Sequence, residues 1–280
     1  MKGKVYVGLS VVIGTALLAL FCLAGCGSGG DGNASAADST SGSSSPSGNG
    51  GDTTANEWKL AKEEWDGFDG MGGNSIPDGI MDCVWNYFYD PQGHLARCDR
   101  DYQNDGTVND VIYYTNDSTG KKIKSEMDNG NDGTMDWFYY YSYDSNGNET
   151  KIETDLGADG EIDWIEYSVY DGNGRLIRDE KDWDNNGTID RVIHYTYDAS
   201  GNKVKKEADD GVDGTINEIA RYTYDNGKLV KDERDYNNDG VLDHVVYYSY
   251  DSNGNLSKAE QDADNDGTVG ITRYCTWVKM

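Results

Sequence analysis

The chain of 280 residues holds 36 Gly, 21 Tyr, 51 acidic and 24 basic residues, for a net charge of −27. That is too polar on average for one conventional core, yet too aromatic for a wholly disordered chain. An acidic balance of this size repels phosphates, which excludes nucleic acid and anionic membrane surfaces and makes cations the natural partners.

Lys2 and Lys4 precede an apolar run from Val5 to Ala24, which "LAGC" at 23 to 26 closes with small residues and a cysteine. This resembles a bacterial lipoprotein signal. The resemblance implies cleavage before Cys26, lipidation of that cysteine and anchoring to a membrane outside the cytoplasm. Gly27, in place of Asp, after the lipid site implies the outer membrane in a Gram-negative cell. Loss of Lys2 and Lys4 would take the net charge from −27 to −29. Residues 26 to 57 are dominated by Gly, Ser, Ala, Thr and Asn, and read as a flexible tether with a root-mean-square reach of roughly 30 Å.

From residue 58 the sequence is periodic. Gly79, Gly106, Gly133, Gly160, Gly187, Gly214, Gly240 and Gly267 recur every 27 residues, with one interval of 26. Midway between them lies a second set: Gly93, Gly120, Gly147, Gly174, Gly201, Gly227 and Gly254. The runs between are rich in Val, Ile, Tyr and Thr and bounded by turn residues, so each repeat supplies two strands. "KLAKEEWD" at 59 to 66 matches "NLSKAEQD" at 255 to 262 and supplies the strand missing before Gly79. Residues 58 to 280 thus hold eight units, the first with eight extra residues in its loop and one with a residue fewer.

The expectation is an all-β array of about sixteen antiparallel strands, elongated or superhelical, each unit touching its neighbours. A four-bladed propeller is the rival, disfavoured because nothing repeats at 54. The usual half-period turn, as in Ser252-Asn253-Gly254, suits a three-residue hairpin, and Asn226-Gly227 is the two-residue equivalent. Pairing Asp251 with Asn255 then sets Tyr250 against Leu256 and Tyr248 against Lys258, on one side with Glu260. Val245, Val192, Ile219, Val204 and Ile177 form an aliphatic stripe on the other. Stacked repeats would give tyrosine ladders beside lysine and glutamate ladders, with Tyr141, Tyr195, Tyr222 and Tyr248 as a candidate glycan or protein face, although a self-packing face is the favoured reading.

The loop around the first glycine set carries the chemistry. It reads "DWDNNGTID" at 182 to 190, "DYNNDGVLD" at 235 to 243 and "DLGADGEID" at 155 to 163. Oxygen side chains recur at positions one, five and nine, sometimes at three, with glycine sixth for a sharp bend. Hard Ca²⁺ wants six to eight oxygens on such a loop, and Mg²⁺ suits it less. The candidate ligands are Asp78 and Asp82; Asp101, Asp105 and Asn109; Asp128, Asp132 and Asp136; Asp155, Asp159 and Asp163; Asp182, Asp184, Asn186 and Asp190; Asp209, Asp213 and Asn217; Asp235, Asn237, Asp239 and Asp243; and Asp262, Asp264 and Asp266. About seven Ca²⁺ sites are expected. The flanks are strands, and the twelfth position carries an EF-hand glutamate only at Glu166, so the loop is more similar to the Asp-x-Asp-x-Asp-Gly-x-x-Asp hairpins of integrin α-propellers.

The strands and half-period turns, as in "YSYDSNGNE" at 141 and "YTYDASGNKVKKE" at 195, resemble the YD repeats of RHS proteins. That resemblance implies a surface or secreted repeat scaffold. His94, His194 and His244 fall at different repeat positions and no nucleophile elbow is present, so no enzyme is expected. Cys83 and Cys98 share a hairpin but fall at an odd offset, on opposite faces, so with Cys275 three free thiols are expected. The function expected is a calcium-stabilised, lipid-anchored cell-envelope scaffold or spacer, the alternative being an adhesin-like module that uses the tyrosine face.

Overall fold

The structure, a computed structural model, describes residues 58–67 and 79–279. The leader, Cys26, the tether and Asp78 lie outside the described residues. Sixteen strands follow in sequence: β1 Trp58–Asp66, β2 Cys83–Tyr89, β3 Leu95–Asp101, β4 Asp110–Asn116, β5 Lys122–Asn129, β6 Trp137–Tyr143, β7 Glu149–Leu156, β8 Trp164–Tyr170, β9 Leu176–Asp182, β10 Arg191–Tyr197, β11 Lys203–Asp210, β12 Glu218–Asp225, β13 Lys228–Asp235, β14 His244–Tyr250, β15 Leu256–Asp262 and β16 Ile271–Lys279. Every neighbouring pair is antiparallel, and no helix occurs among the described residues.

The expected elongated or superhelical array is corrected: β1 pairs with β16 from Trp58↔Lys279 to Asp66↔Thr272, and the sheet closes into a barrel. Closure follows from the register. Crossing from β9 to β11, Asp179 meets Ile193 and Ile193 meets Ala208. That step is 208 − 179 = 29 residues where the sequence repeats every 27, so each unit shifts the register by two. The short unit behaves alike, since Lys206 meets Ala220 and Ala220 meets Arg234, a step of 28 against a repeat of 26. Eight units accumulate a shear of 16, equal to the strand number. Sixteen strands at this shear tilt by about 35° and enclose a backbone radius of roughly 15 Å if circular, wide enough for a lumen. A closed sheet also leaves no edge strand to template aggregation.

The Asn226-Gly227 turn carries positive φ at both residues, 50° and 75°, as the expected two-residue hairpin requires. Asp251 and Asn255 pair as expected, and Tyr250 meets Leu256. Beyond them the expected register fails by one. A bulge leaves Ser257 unpaired, so Tyr248 faces Ala259 and Lys258 faces Ser249. The same irregularity recurs in every hairpin of this kind, for example between Thr196 and Tyr197. One extra residue sends the lysines and glutamates to the wall opposite the tyrosines.

The outer wall therefore carries a basic residue at one position of every unit (Lys62, Arg97, Lys124, Lys151, Arg178, Lys205, Lys231, Lys258) and an acid two residues on (Glu64, Asp99, Glu126, Glu153, Glu180, Glu207, Glu233, Glu260). These pair within each strand, at 2.6 Å for Lys151–Glu153 and Lys205–Glu207. Tyr113, Tyr140, Tyr167 and Tyr247 sit between them on the neighbouring strands. The aliphatic stripe also lies on this outer side: Val245 is fully buried and pairs with the loop acid Asp262, while Val204 and Ile177 are bulge residues.

The inner wall carries, at one repeated position, Tyr87, Tyr114, Tyr141, Ser168, Tyr195, Tyr222, Tyr248 and Cys275. Two residues on, nearer the half-period turns, YD tyrosines close a repeat onto the one before, except Tyr224, whose hydroxyl is buried without a partner. Tyr197 donates its hydroxyl to the Leu176 carbonyl at 2.7 Å, and Tyr143, Tyr170 and Tyr250 do the same to Lys122, Glu149 and Leu229. The YD aspartates of the three-residue turns accept the backbone N–H groups of their own turn, as Asp198 does from Ser200 and Asn202, while Asp225 accepts the Asn226 side-chain amide. Tyr and Asp recur together because one joins neighbouring hairpins and the other shapes the turn between strands.

The bulge also corrects the cysteines. Tyr87 meets Cys98, which places Cys83 and Cys98 on the same inner face, in one apolar cluster with Trp85. They stand four residues apart along the ladder, roughly 13 Å, which is too far to bridge. All three described cysteines are free.

Candidate metal centres at one mouth of the barrel

All the acidic loops join an odd strand to the next even one, and all the half-period turns join an even strand to the next odd one. The acidic loops therefore ring one mouth and the YD turns the other. Within a loop the side chains are held in place by the backbone. In the 182 loop, Asp182 accepts from the N–H groups of Asn186 at 3.0 Å and Gly187 at 2.8 Å, Asn186 accepts from Thr188, and Asp190 accepts from Trp183 at 2.8 Å. The first and fifth positions repeat this geometry at Asp101 and Asp105, Asp128 and Asp132, Asp155 and Asp159, Asp209 and Asp213, Asp235 and Asp239, and Asp262 and Asp266. The ninth position repeats it at Asn109, Asp136, Asp163, Asn217 and Asp243.

The first-position aspartates are buried, Asp155 to 1% exposure, while the fifth lies at the surface. Backbone N–H groups take part of each carboxylate's capacity and leave the remaining lone pairs for a cation. In two loops the oxygens converge: one carboxylate oxygen each from Asp182, Asp184 and Asp190, and from Asp262, Asp264 and Asp266, lie within 4.8 Å of one another. Two ligands of one Ca²⁺, each at about 2.4 Å, can stand no farther apart than about 4.8 Å, so the donor sets fit that ion. Both include an aspartate at the third position, where other loops have Gln103, Gly130, Gly157, Gly211 or Asn237.

Two features of the ring lie outside the expected ligand set. The stretched first loop starts at Asp66, which accepts from Gly79 at 2.9 Å while Asp82 accepts from Gly67 at 2.8 Å. Its signal was Gly79 at the sixth place, once the inserted residues are set aside. The fourth position is the other. Asn185, at φ 50°, donates to the Ile162 carbonyl of the preceding loop at 2.8 Å, and Asn104, Asn131 and Asn238 reach Met81, Val108 and Ile216 likewise. Asparagine suits that place because it tolerates the left-handed backbone and carries an amide that ties loop to loop. Glu166 is buried on the inner wall beside Lys181 at 3.1 Å, on the opposite face from Ile165, which pairs with the loop acid Asp182.

The candidate ligand tyrosines lie on the inner wall, and three of the four are already covered by lysines. Lys122 Nζ stands 3.9 Å over the Tyr141 ring, and Lys203 Nζ lies 4.8 Å from the Tyr195 centroid and 5.2 Å from that of Tyr222. Tyr195 and Tyr222 are buried. Tyr248 is the fourth, its hydroxyl pushed above the usual phenol range by burial.

No family model and no curated protein matches the chain. Among solved structures it is similar to the Photorhabdus luminescens Tc holotoxin pore, at 16% identity and TM-score 0.34, over 69% of this chain and 9% of that one. A TcdB2–TccC3 complex matches at 15% identity and TM-score 0.33, over 75% and 12%. A porin-like protein from Bacteroides uniformis matches at 11% identity and TM-score 0.48, over 79% and 96%. The chain spans about a tenth of the toxin chains, and at these identities no residue role carries across.

Proposed function

We propose that this chain is a calcium-stiffened barrel tethered by lipid on Cys26, working as a rigid scaffold or spacer in the aqueous space outside the cytoplasm. The observation that carries this reading is the outer wall. A membrane barrel needs an apolar band about 25 Å tall, and a Lys or Arg at the bilayer midplane costs about 2–4 kcal/mol. Here eight bases and eight acids ring the wall, and a seven-residue strand tilted by about 35° rises only about 20 Å along the axis. The wall is built for water, with lysine stems lying against tyrosine rings, as Lys231 lies 5.6 Å from the Tyr247 centroid.

Calcium suits the opposite need. The first-position carboxylates form a buried ring at one mouth, and divalent ions would offset their repulsion while tying consecutive loops into one rim. Display of glycan or protein through Tyr141, Tyr195, Tyr222 and Tyr248 is disfavoured, because those rings face inward and the first three carry the chain's own lysines. The test is partition. Protein beginning at Gly27 is expected to stay monodisperse without detergent and to give no conductance in planar bilayers. A detergent requirement together with channel steps would contradict the scaffold reading.

A further inference from the structure

Asparagine followed by glycine is a chemically fragile pair, because the glycine nitrogen can attack the asparagine side-chain carbonyl with no Cβ in the way. Six such pairs lie among the described residues, at 129–130, 146–147, 173–174, 186–187, 226–227 and 253–254. All but one have the attacking nitrogen already engaged. Gly147, Gly174 and Gly254 donate their N–H to the carbonyls of Asp144, Asp171 and Asp251 at 3.1, 3.0 and 3.1 Å. Gly187 donates to the Asp182 carboxylate at 2.8 Å, and Gly130 to that of Asp110 at 3.1 Å.

The related Asp-Gly pairs of the acidic loops are guarded in the same way, since Gly106, Gly133, Gly160, Gly214, Gly240 and Gly267 each donate to the first-position aspartate. Asp171-Gly172 is guarded differently. Arg175, through its backbone N–H and its guanidinium, holds the Asp171 carboxyl below the usual range as an anion, which is a poor electrophile. Asn226-Gly227 has neither protection. In a two-residue turn the closing position falls to Lys228, which pairs with Asp225, so the glycine N–H is not turned back onto the YD carbonyl. The Gly227 N–H meets no acceptor among the described residues, and both turn residues are exposed. The Asn226 amide nitrogen donates to Asp225 at 3.0 Å, which leaves the side-chain carbonyl open to attack.

We propose that Asn226 is a modification site, the Asn-Gly pair among the described residues that the fold leaves open to deamidation through a succinimide. The Gly227 nitrogen gives its proton to solvent hydroxide and bonds to Asn226 Cγ, and the side-chain nitrogen departs as ammonia. Water then opens the ring at either carbonyl and leaves aspartate or isoaspartate. One water is consumed and one ammonia released, with no oxidant or reductant. The product adds a negative charge at the mouth formed by the YD turns, and the isoaspartyl form adds one main-chain carbon to the turn that is a residue shorter than its counterparts. The site lies at the mouth opposite the acidic loops and does not rest on the calcium reading.

The test is incubation of the full-length protein at mildly alkaline pH, followed over time by tryptic peptide mass mapping; cleavage after Arg221 and Lys228 releases the turn as residues 222–228. Deamidation at Asn226 is expected at least ten times faster than at Asn129, Asn146, Asn173, Asn186 or Asn253, with isoaspartate as part of the product. In urea the six rates should come within a few-fold of one another, because only the fold separates them. Equal rates in the folded barrel, a faster pair elsewhere among the six, or aspartate as the sole product overturns the proposal. A tenfold lead for Asn226 that persists in urea also overturns it, by assigning the difference to local sequence.

Discussion

Asp179→Asn should make the barrel more stable at alkaline pH than the wild type. Asp179 is fully buried, and desolvation pushes its carboxyl from 3.8 up to about 7, against the opposing hydrogen bonds from Tyr195 and Ser168 and the charge of Lys181. The folded state therefore holds the proton more tightly than the unfolded state does. Between pH 4 and 7 the unfolded chain has lost that proton while the barrel keeps it, so stability falls as pH rises, and above 7 the loss is complete. A shift of about 3 units at 1.36 kcal/mol each is about 4 kcal/mol. Asparagine has no such slope and can accept from one hydroxyl while donating to the other. Urea unfolding at fixed calcium from pH 4 to 8 should show the variant gaining about 4 kcal/mol on the wild type across that range, equivalent to roughly 10 °C in melting temperature. A stability difference independent of pH would refute the argument that Asp179 is buried without full compensation.

Tyr197→Phe, which deletes the hydrogen bond to the Leu176 carbonyl, should cost about 1 kcal/mol in urea unfolding, whereas Tyr224→Phe should cost almost nothing because the Tyr224 hydroxyl is buried without a partner. Removing the half-exposed Lys151–Glu153 pair should change stability by no more than about 1 kcal/mol, with the effect shrinking in high salt. In protein lacking the first 26 residues, thiol titration should find three free groups after unfolding. In the folded barrel only Cys275 should react, since burial raises the Cys83 and Cys98 thiols to about 12.

The strands, their number, the turns and the acidic loops were legible because each has a local signature: the alternation of Val192, His194 and Thr196 with Ile193, Tyr195 and Tyr197 in β10, the Asn-Gly turn, and glycine at a fixed place between aspartates. Closure was not legible. It depends on a two-residue shift per unit summed over eight units, and no single residue of β1 or β16 announces that they pair. The bulge was hidden for a related reason. Ser257, Val204 and Ile177 look like ordinary strand residues, yet leaving each unpaired reverses the faces of every Lys, Glu and Tyr beyond it. Closure also removes the ends of the array. The 262 loop joins β15 and β16, and β16 continues into β1, so disabling that loop with Asp262→Ala should cost as much as disabling a loop in the middle.

The central claim, that the acidic loops hold calcium as part of the fold, is tested most directly by thermal unfolding in 10 mM calcium against excess chelator. Seven sites with dissociation constants near 10⁻³ M would each contribute about 1.4 kcal/mol at that concentration, roughly 10 kcal/mol together. The account predicts a melting temperature at least about 20 °C higher in calcium. Coincident melting curves in the two buffers would contradict it and reduce the loops to hydrogen-bonded acidic turns.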